Sequence, residues 1–153
     1  MNNTKSLLRK RLEHFEAACR QVGLKVTHQR LEIFRELASS SDHPTAETLY
    51  KRLQESVPTL SLDTVYRTLT TFEEHGLISR VQTIESHARF EAEMEEHHHA
   101  ICTQCKKITD FQWDICDKGK LPEQVANWGE IRNKQITLRG ICGECAQVAK
   151  GGR

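Results

Sequence analysis

Residues 97–105 read HHHAICTQC, and a second cysteine pair with the same spacing follows at Cys142 and Cys145. Cysteine thiolates bind zinc four to a site, in a closed tetrahedron. The two Cys-x-x-Cys pairs therefore predict a zinc site, with a redox disulfide as the alternative. The imidazoles of His97 and His99 suit an exchangeable iron, manganese or zinc ion. The segment combines the ligands of a structural metal with those of a responsive one, which favours sensing over turnover.

The bulk composition leaves most function classes open. At 153 residues the chain fits one ordinary domain or two small ones, and its net charge is +1. The first eleven residues carry a basic cluster that can attract phosphates: Lys5, Arg9, Lys10 and Arg11. Residues 91–96 carry glutamates without a base and can attract cations. No membrane span or apolar signal core is recognisable, so we expect a cytoplasmic protein that does not enter a membrane.

The N-terminal half predicts four amphipathic helices followed by a hairpin. Apolar residues recur at helical spacing over 5–22, from Leu8 to Val22, and Cys19 falls on that stripe. Each of three further helices begins at a residue that can cap it: Thr27, Thr45 and Ser61. Two glycines end the first and fourth helices: Gly23 and Gly76. Two short strands follow around a polar turn, at 77–81 and 88–91. This order is typical of a winged helix-turn-helix.

Beyond the hairpin the pattern predicts a small domain of strands and helix. Three segments have strand-like sequence: 97–102, 107–113 and 135–141. A helix near 118–127 separates the last two. The predicted fold class is α+β, with a winged-helix DNA-binding domain at 1–86 and a small α/β metal-binding domain at 87–153.

The helix that begins at Ser61 has the features of a DNA-recognition helix. Arginine can hydrogen-bond guanine or phosphate, and a tyrosine ring can meet a thymine methyl group. A solvated helix face is the alternative, but the preceding helix, the hairpin and the basic N-terminal segment favour DNA. We expect contacts to the DNA duplex from four residues on this helix: Ser61, Thr64, Tyr66 and Arg67. We expect phosphate or minor-groove contacts from Lys10 and Arg11.

In combination these motifs resemble the ferric uptake regulator (Fur) superfamily. The resemblance is carried by His43-Pro44-Thr45-Ala46-Glu47, Thr64-Val65-Tyr66-Arg67-Thr68-Leu69, Arg89-Phe90-Glu91 and the histidine and cysteine motifs quoted above. It covers nearly the whole chain. It implies a homodimeric, metal-dependent repressor of double-stranded DNA operators, with an N-terminal winged helix and a C-terminal dimerisation domain.

The resemblance also implies two metal sites. It assigns a structural Zn²⁺ to Cys102, Cys105, Cys142 and Cys145. It assigns a regulatory Fe²⁺ or Mn²⁺, with Zn²⁺ as an alternative occupant, to His43, Glu91, His97, His99 and Asp110. Independently of the family, His97 and His99 alternate along a strand, so both imidazoles can point to one face. A metal that joined His43 to the others would hold the two domains in one relative orientation.

The chain departs from the iron-type members of the family at one position. Those members often have a third metal site, which would fall near Glu96, His98 and Asp117 in this chain. Lys134 stands where a histidine is usual, and a protonated ammonium has no lone pair for a metal. We therefore do not expect a third site, and we expect His98 to face away from its two neighbours.

The regulatory residues mix two signatures of the family. Peroxide-sensing (PerR-type) members resemble this chain at Asp110, where many iron-type members carry Glu, but they usually carry Asp at the position of Glu91. We expect a peroxide sensor in which oxidation of His43 or His97 weakens the site and releases DNA.

Several alternatives stay open at this point. An iron-responsive repressor comes first, followed by a zinc-responsive one, although no cysteine lies where zinc-responsive relatives typically use one. A zinc-ribbon redox or interaction module without DNA binding is the alternative from another class. The sequence has no nucleophile–base set or phosphate loop, so we expect no enzyme, and no small-molecule substrate beyond a metal ion and H₂O₂. His87 is a reserve ligand, and Cys116 has no assigned role.

Overall fold

Four helices and a β-hairpin form the first of the two units into which the chain divides, Met1–Met94 and Glu95–Arg153. The computed structural model describes residues 2–93 and 95–152. The helices of the first unit are α1 (Asn2–Gln21), α2 (His28–Ser39), α3 (Ala46–Leu53) and α4 (Leu62–Glu74). Strands β1 (Ser79–Val81) and β2 (Arg89–Glu91) pair antiparallel. The α+β fold class is confirmed.

Side-chain caps fix where three of these helices begin. As predicted, the hydroxyls of Thr27, Thr45 and Ser61 accept hydrogen bonds from backbone N–H groups three residues further on. Gly23 and Gly76 adopt φ values of +71° and +68°. This left-handed conformation is the one that ends α1 and α4, as the sequence also predicts.

Aromatic rings join three helices of the first unit. Phe15 and Phe34 stack with ring centroids 3.9 Å apart, and Phe72 meets Phe15 edge-on at 5.1 Å. Burial of each ring stabilises the fold by about 1.5–3 kcal/mol. Cys19 is buried on the same face of α1, as predicted. Val22 is 44% exposed, so the prediction that it shares this stripe is wrong, because α1 ends at Gln21.

The first unit extends beyond residue 86, where the sequence places a domain boundary. Strand β2 pairs with β1 in the register Ser79↔Glu91 and Val81↔Arg89, so residues 89–91 belong to the hairpin. Phe90 is 2% exposed and joins the core of the first unit. Within residues 2–93 and 95–152, every helix is too short or too polar to traverse a lipid bilayer.

The second unit contains a three-stranded sheet. Strand β3 (His98–Cys102) lies between β4 (Ile108–Phe111), which is antiparallel to it, and β5 (Thr137–Gly140), which is parallel. All three strands fall within the predicted segments.

The helices of the second unit differ from the sequence prediction. Of the single helix expected near 118–127, only the four-residue α6 (Glu123–Ala126) is present, so the predicted length is wrong; a further short helix, α5 (Asp114–Lys118), ends where the predicted one begins. Gly119 follows α5 and Pro122 precedes α6, and a proline ring is tolerated at a helix start but not in its interior. The sequence pattern does not predict the last helix, α7 (Gly143–Gly151).

Candidate metal centres and nucleic-acid interface

The four cysteines of the Cys-x-x-Cys pairs lie together in the second unit. Parallel pairing of β3 with β5 sets Cys102 opposite Gly140, so Cys142 follows close to Cys102. The sulfur atoms of all four cysteines lie within 4.8 Å of one another, and Cys105 Sγ is 3.8 Å from Cys142 Sγ. Two sulfur ligands of a tetrahedral zinc ion, with bonds of about 2.3 Å, are also about 3.8 Å apart. The donor set and its spacing therefore fit zinc.

Backbone N–H groups prepare one of these thiols for metal binding. The N–H groups of Cys142 and Cys105 donate to Cys102 Sγ over 3.4 and 3.5 Å. They lower the pKa of the Cys102 thiol to about 6, because they stabilise the thiolate. The side-chain hydrogen bond with Cys142, together with burial, raises the pKa of the Cys145 thiol to about 12. The cluster thus holds one preformed thiolate and one thiol that gives up its proton on metal binding.

An imidazole and a carboxylate meet away from solvent in the first unit. His43 lies in the loop before α3 and Glu91 ends β2, and their Nε2 and Oε2 atoms are 3.1 Å apart. The two side chains are only 4% and 7% exposed. A buried carboxylate needs hydrogen bonds or a compensating positive charge. Imidazole nitrogen and carboxylate oxygen together suit Fe²⁺, Mn²⁺ or Zn²⁺.

Two imidazoles and a carboxylate converge in the second unit. The register of β3 and β4 sets His99 opposite Asp110, with 3.4 Å between Nε2 and Oδ1. His97 Nε2 is 3.1 Å from His99 Nε2 and 3.9 Å from Asp110 Oδ1. Adjacent ligands on a metal with bonds of about 2.1 Å are separated by about 3.0 Å in octahedral and about 3.4 Å in tetrahedral geometry. The spacing of these three residues therefore fits a shared cation.

A hydrogen bond selects the tautomer of His97. Its Nδ1 atom lies 2.7 Å from the carbonyl oxygen of Glu95, and a carbonyl oxygen can only accept. Nδ1 therefore carries the proton, and Nε2 keeps its lone pair for a metal. Metal-binding histidines are commonly oriented by such a contact to the second ring nitrogen.

His98 takes no part in this cluster. Its Nε2 atom is 3.0 Å from Asp117 Oδ1, and its Nδ1 atom accepts a hydrogen bond from the N–H of Ile136 over 3.1 Å. The side chain is 1% exposed. The Lys134 ammonium donates hydrogen bonds to two carbonyl oxygens of α5, over 2.7 and 2.6 Å. A lysine ammonium, which has no lone pair for a metal, is thus fixed at the carbonyl groups of Cys116 and Asp117.

Two side chains on the exposed face of α4 are each paired with a carboxylate. The Tyr66 hydroxyl donates to Glu47 of α3, and this hydrogen bond raises the pKa of Tyr66 and lowers the pKa of Glu47. Arg67 Nε lies 2.9 Å from Asp63 Oδ2, with the arginine side chain 81% exposed. Sequence reasoning missed the Glu47 contact, because helical spacing does not reveal a partner on another helix.

The remaining residues expected to contact DNA differ in how far contacts within the first unit already engage them. The hydroxyls of Ser61 and Thr64 lie 2.9 Å apart at the start of α4. Lys10 is exposed on α1. Arg11 instead donates to the carbonyl oxygen of Ala38 over 3.0 Å and forms an ion pair with Glu93. The charge of Arg11 is therefore engaged within the first unit.

Comparison with known proteins points to one family. The model of the ferric uptake regulator family matches residues 21–139. The peroxide-responsive repressor PerR of Staphylococcus aureus (strain Mu50 / ATCC 700699) is 34% identical over 135 residues, which cover 88% of this chain and 90% of that repressor.

Solved structures show the same relationship. The Helicobacter pylori ferric uptake regulator Fur, described as having three functional metal binding sites, has a TM-score of 0.74 at 29% identity, with 91% of this chain and 93% of that chain covered. PerR from Streptococcus pyogenes, described for peroxide sensing and gene regulation, has a TM-score of 0.52 at 25% identity, with 88% and 92% covered.

Proposed function

The chain belongs to the ferric uptake regulator family, and we propose that it is a DNA-binding repressor controlled by a metal ion and by peroxide. The proposed ligands of the regulatory cation come from both units: His43, Glu91, His97, His99 and Asp110. The observation that carries the proposal is the convergence of His97, His99 and Asp110 in the second unit. The four cysteines hold a structural zinc.

The chemistry of the ligand set supports this function. All five proposed ligands offer nitrogen or oxygen, a combination that suits Fe²⁺, Mn²⁺ and Zn²⁺. Glu91 and Asp110 balance the charge of a divalent ion. When bound, the cation supplies that charge and, as Fe²⁺, the capacity to react with peroxide.

Regulation follows from ligands that belong to two units. His43 lies in the loop before α3 and Glu91 ends β2, so these proposed ligands are part of the proposed DNA-binding unit. A shared cation favours the arrangement of the units in which all five ligands reach it. It shifts the population only as far as it binds that arrangement more tightly than the others.

Exposed side chains supply the contacts to double-stranded DNA. Tyr66 and Arg67 are presented near the start of α4, where recognition helices contact base edges. Lys10 adds a phosphate contact, which makes the affinity depend on salt.

Apolar side chains of the second unit support a homodimer. Ile115, Trp128 and Ile141 are 79%, 74% and 60% exposed. Exposed apolar side chains of this size mark protein interfaces when they form a patch. A second copy of the chain covers them and gives the repressor two α4 helices for an operator of two half-sites.

Peroxide sensing is favoured over iron sensing by Asp110 and by the similarity to the S. aureus peroxide-responsive repressor. In the proposed response, peroxide transfers one oxygen atom to a ring carbon of His43 or His97 while its O–O bond breaks and its second oxygen leaves as water. The oxidised imidazole is a weaker ligand, so the affinity for the cation falls and DNA is released. An iron-responsive repressor is the second candidate, supported by the similarity to the H. pylori Fur protein. A zinc-responsive repressor comes third, because the proposed ligand set contains no cysteine.

A mobility-shift experiment tests the proposal. The zinc-loaded protein is mixed with a fragment of its own promoter, with and without Mn²⁺ or Fe²⁺, and then with peroxide. We expect binding that requires the added cation, and release by peroxide from the Fe²⁺ form. If the Fe²⁺ form stays bound to DNA after peroxide is added, the iron-responsive candidate would be favoured. Absence of DNA binding in every form would favour an interaction module instead.

A further inference from the structure

His43 has a backbone conformation that L-amino acids rarely adopt. Its φ is +49°, in the left-handed region. The next residue is Pro44, and the residue before a proline normally prefers an extended backbone. Such conformations persist only where surrounding contacts hold them, and they are concentrated at functional sites.

Arg89 of β2 supplies the central contacts to this peptide. Its guanidinium donates to the carbonyl oxygen of His43 through Nε, and to that of Asp42 through Nη2 over 2.7 Å. The remaining nitrogen, Nη1, donates to Glu85 Oε2 over 3.0 Å. The side chain is only 15% exposed. A planar guanidinium bonded in three directions has little freedom to rotate.

Two further contacts hold segment 42–44. The backbone N–H of Phe90 donates to the carbonyl oxygen of Pro44 over 3.1 Å, so three successive carbonyl groups are bonded to β2. Arg52 of α3 donates from Nη2 to the Asp42 carboxylate over 2.5 Å. The segment is therefore fixed between β2 and α3.

The position of Glu91 connects this arrangement to the regulatory site. Alternate residues of a strand face the same side, so Arg89 and Glu91 share one face of β2. The peptide that Arg89 binds carries the His43 imidazole to within 3.1 Å of Glu91. We propose that Arg89 is a positioning residue for the regulatory site: Arg89 holds His43 Nε2 beside Glu91 before the cation binds. This inference rests on the proposed regulatory site.

Substitution of Arg89 tests the inference. Loss of a group that orients a metal ligand typically weakens metal binding by about 10- to 100-fold. We expect Arg89→Gln to raise the Mn²⁺ dissociation constant of the zinc-loaded protein by that factor. We expect Arg89→Lys to raise it less, since an ammonium keeps the charge without the planar fork. Arg80→Gln is the matched control, because Arg80 lies on neighbouring β1 and binds Glu73 instead of segment 42–44, so it should leave the constant unchanged.

A double-mutant cycle separates positioning from a general structural effect. If Arg89 acts through His43, then Arg89→Gln should change Mn²⁺ affinity less than about twofold in a His43→Ala background. Equal losses in both backgrounds overturn the inference. So does an unchanged Mn²⁺ affinity in either Arg89 variant.

Two further outcomes distinguish a misfolded variant, or a missing regulatory site, from a wrong assignment of Arg89. If Arg89→Gln loses its zinc or its helical circular dichroism, the decision passes to Arg89→Lys, and wild-type Mn²⁺ affinity in that variant overturns the inference. If the wild-type protein takes up Fe²⁺ or a second Zn²⁺ but no Mn²⁺, the same variants are compared with that ion. If it takes up none of the three beyond its structural zinc, the proposed regulatory site itself is refuted and the inference falls with it.

Discussion

Asp110 Oδ1 lies 3.4 Å from His99 Nε2 across the antiparallel pair of β3 and β4. Both residues stand on strands, so the sheet fixes their separation more firmly than a loop would. The carboxylate is 42% exposed and the imidazole only 2%. The geometry gives the proposed cation an oxygen ligand at the edge of a buried nitrogen cluster.

Removal of the Asp110 carboxylate should disable the regulatory site and leave the zinc site intact. We expect Asp110→Ala to abolish metal-dependent DNA binding while zinc content stays unchanged, because the four cysteines are untouched. Mobility shifts and elemental analysis measure the two effects. Asp110→Glu retains a carboxylate, so we expect metal-dependent binding to persist with a weaker peroxide response. Thr109→Ala, at the exposed neighbouring position of β4, serves as the control. Metal-dependent DNA binding by Asp110→Ala would remove Asp110 from the site.

Peroxide should modify specific histidines. We expect the Fe²⁺-loaded protein to gain the mass of one oxygen atom at His43 or His97 after peroxide treatment, as read by peptide mass spectrometry. The Mn²⁺-loaded protein should not gain this mass, because Mn²⁺ reduces peroxide far less readily than Fe²⁺ does. His98 is an internal control, since it binds Asp117 and lies outside the proposed site. Equal oxidation of His98 and His97 would indicate unspecific damage.

The zinc-free protein should show a pH dependence that arises from Cys102. Its thiol has a pKa of about 6 in the folded protein, below the value of about 8.5 for an unfolded thiol. Between these two values the unfolded chain binds more protons at this position, so the free energy of unfolding rises with pH. We expect the thermal midpoint of the reduced, zinc-free protein to fall as pH is lowered from about 8.5 to about 6.

Cys102→Ser gives the comparison for that measurement. Without the thiolate, the part of the slope that Cys102 contributes should disappear from the same pH series. The variant should also lose the structural zinc and, with it, the dimer, as measured by elemental analysis and light scattering. An identical pH slope in wild type and variant would show that Cys102 is not a thiolate in the folded protein.

Two basic residues should contribute to DNA binding in different ways. Arg67→Ala should weaken operator binding by about 1–3 kcal/mol and relax the base preference, if Arg67 contacts a base. Lys10→Ala should weaken binding to all sequences alike and lower the salt slope by about 1. Arg11→Ala should lower thermal stability without this change in salt slope, because Arg11 is engaged with Glu93. Fluorescence anisotropy over a salt series measures all three, and a sequence-independent loss in Arg67→Ala would exclude base contact.

Short-range chemistry accounts for what the sequence predicted well. The hydroxyls of Thr45 and Ser61 accept hydrogen bonds from N–H groups three residues further on, so these residues predict where the helices begin. The approach of His97 and His99 follows from the alternation of side chains along a strand. That the sulfur atoms lie together follows from four thiols in two matching pairs.

Contacts between distant segments account for what was missed. The Tyr66–Glu47 hydrogen bond depends on how α3 and α4 pack, which no local pattern encodes. The same holds for Arg11, whose basic character predicted a phosphate contact while Glu93 engages it in the folded unit. The role of Arg89 also depends on a loop far away in the sequence.

Crystals of the zinc-loaded protein grown with Mn²⁺, with diffraction recorded at the manganese absorption edge, show whether the five proposed ligands share one cation. We expect one anomalous peak in bonding contact with all five side chains: His43, Glu91, His97, His99 and Asp110. A manganese peak held by other residues, or these five side chains without a shared ion, would contradict it.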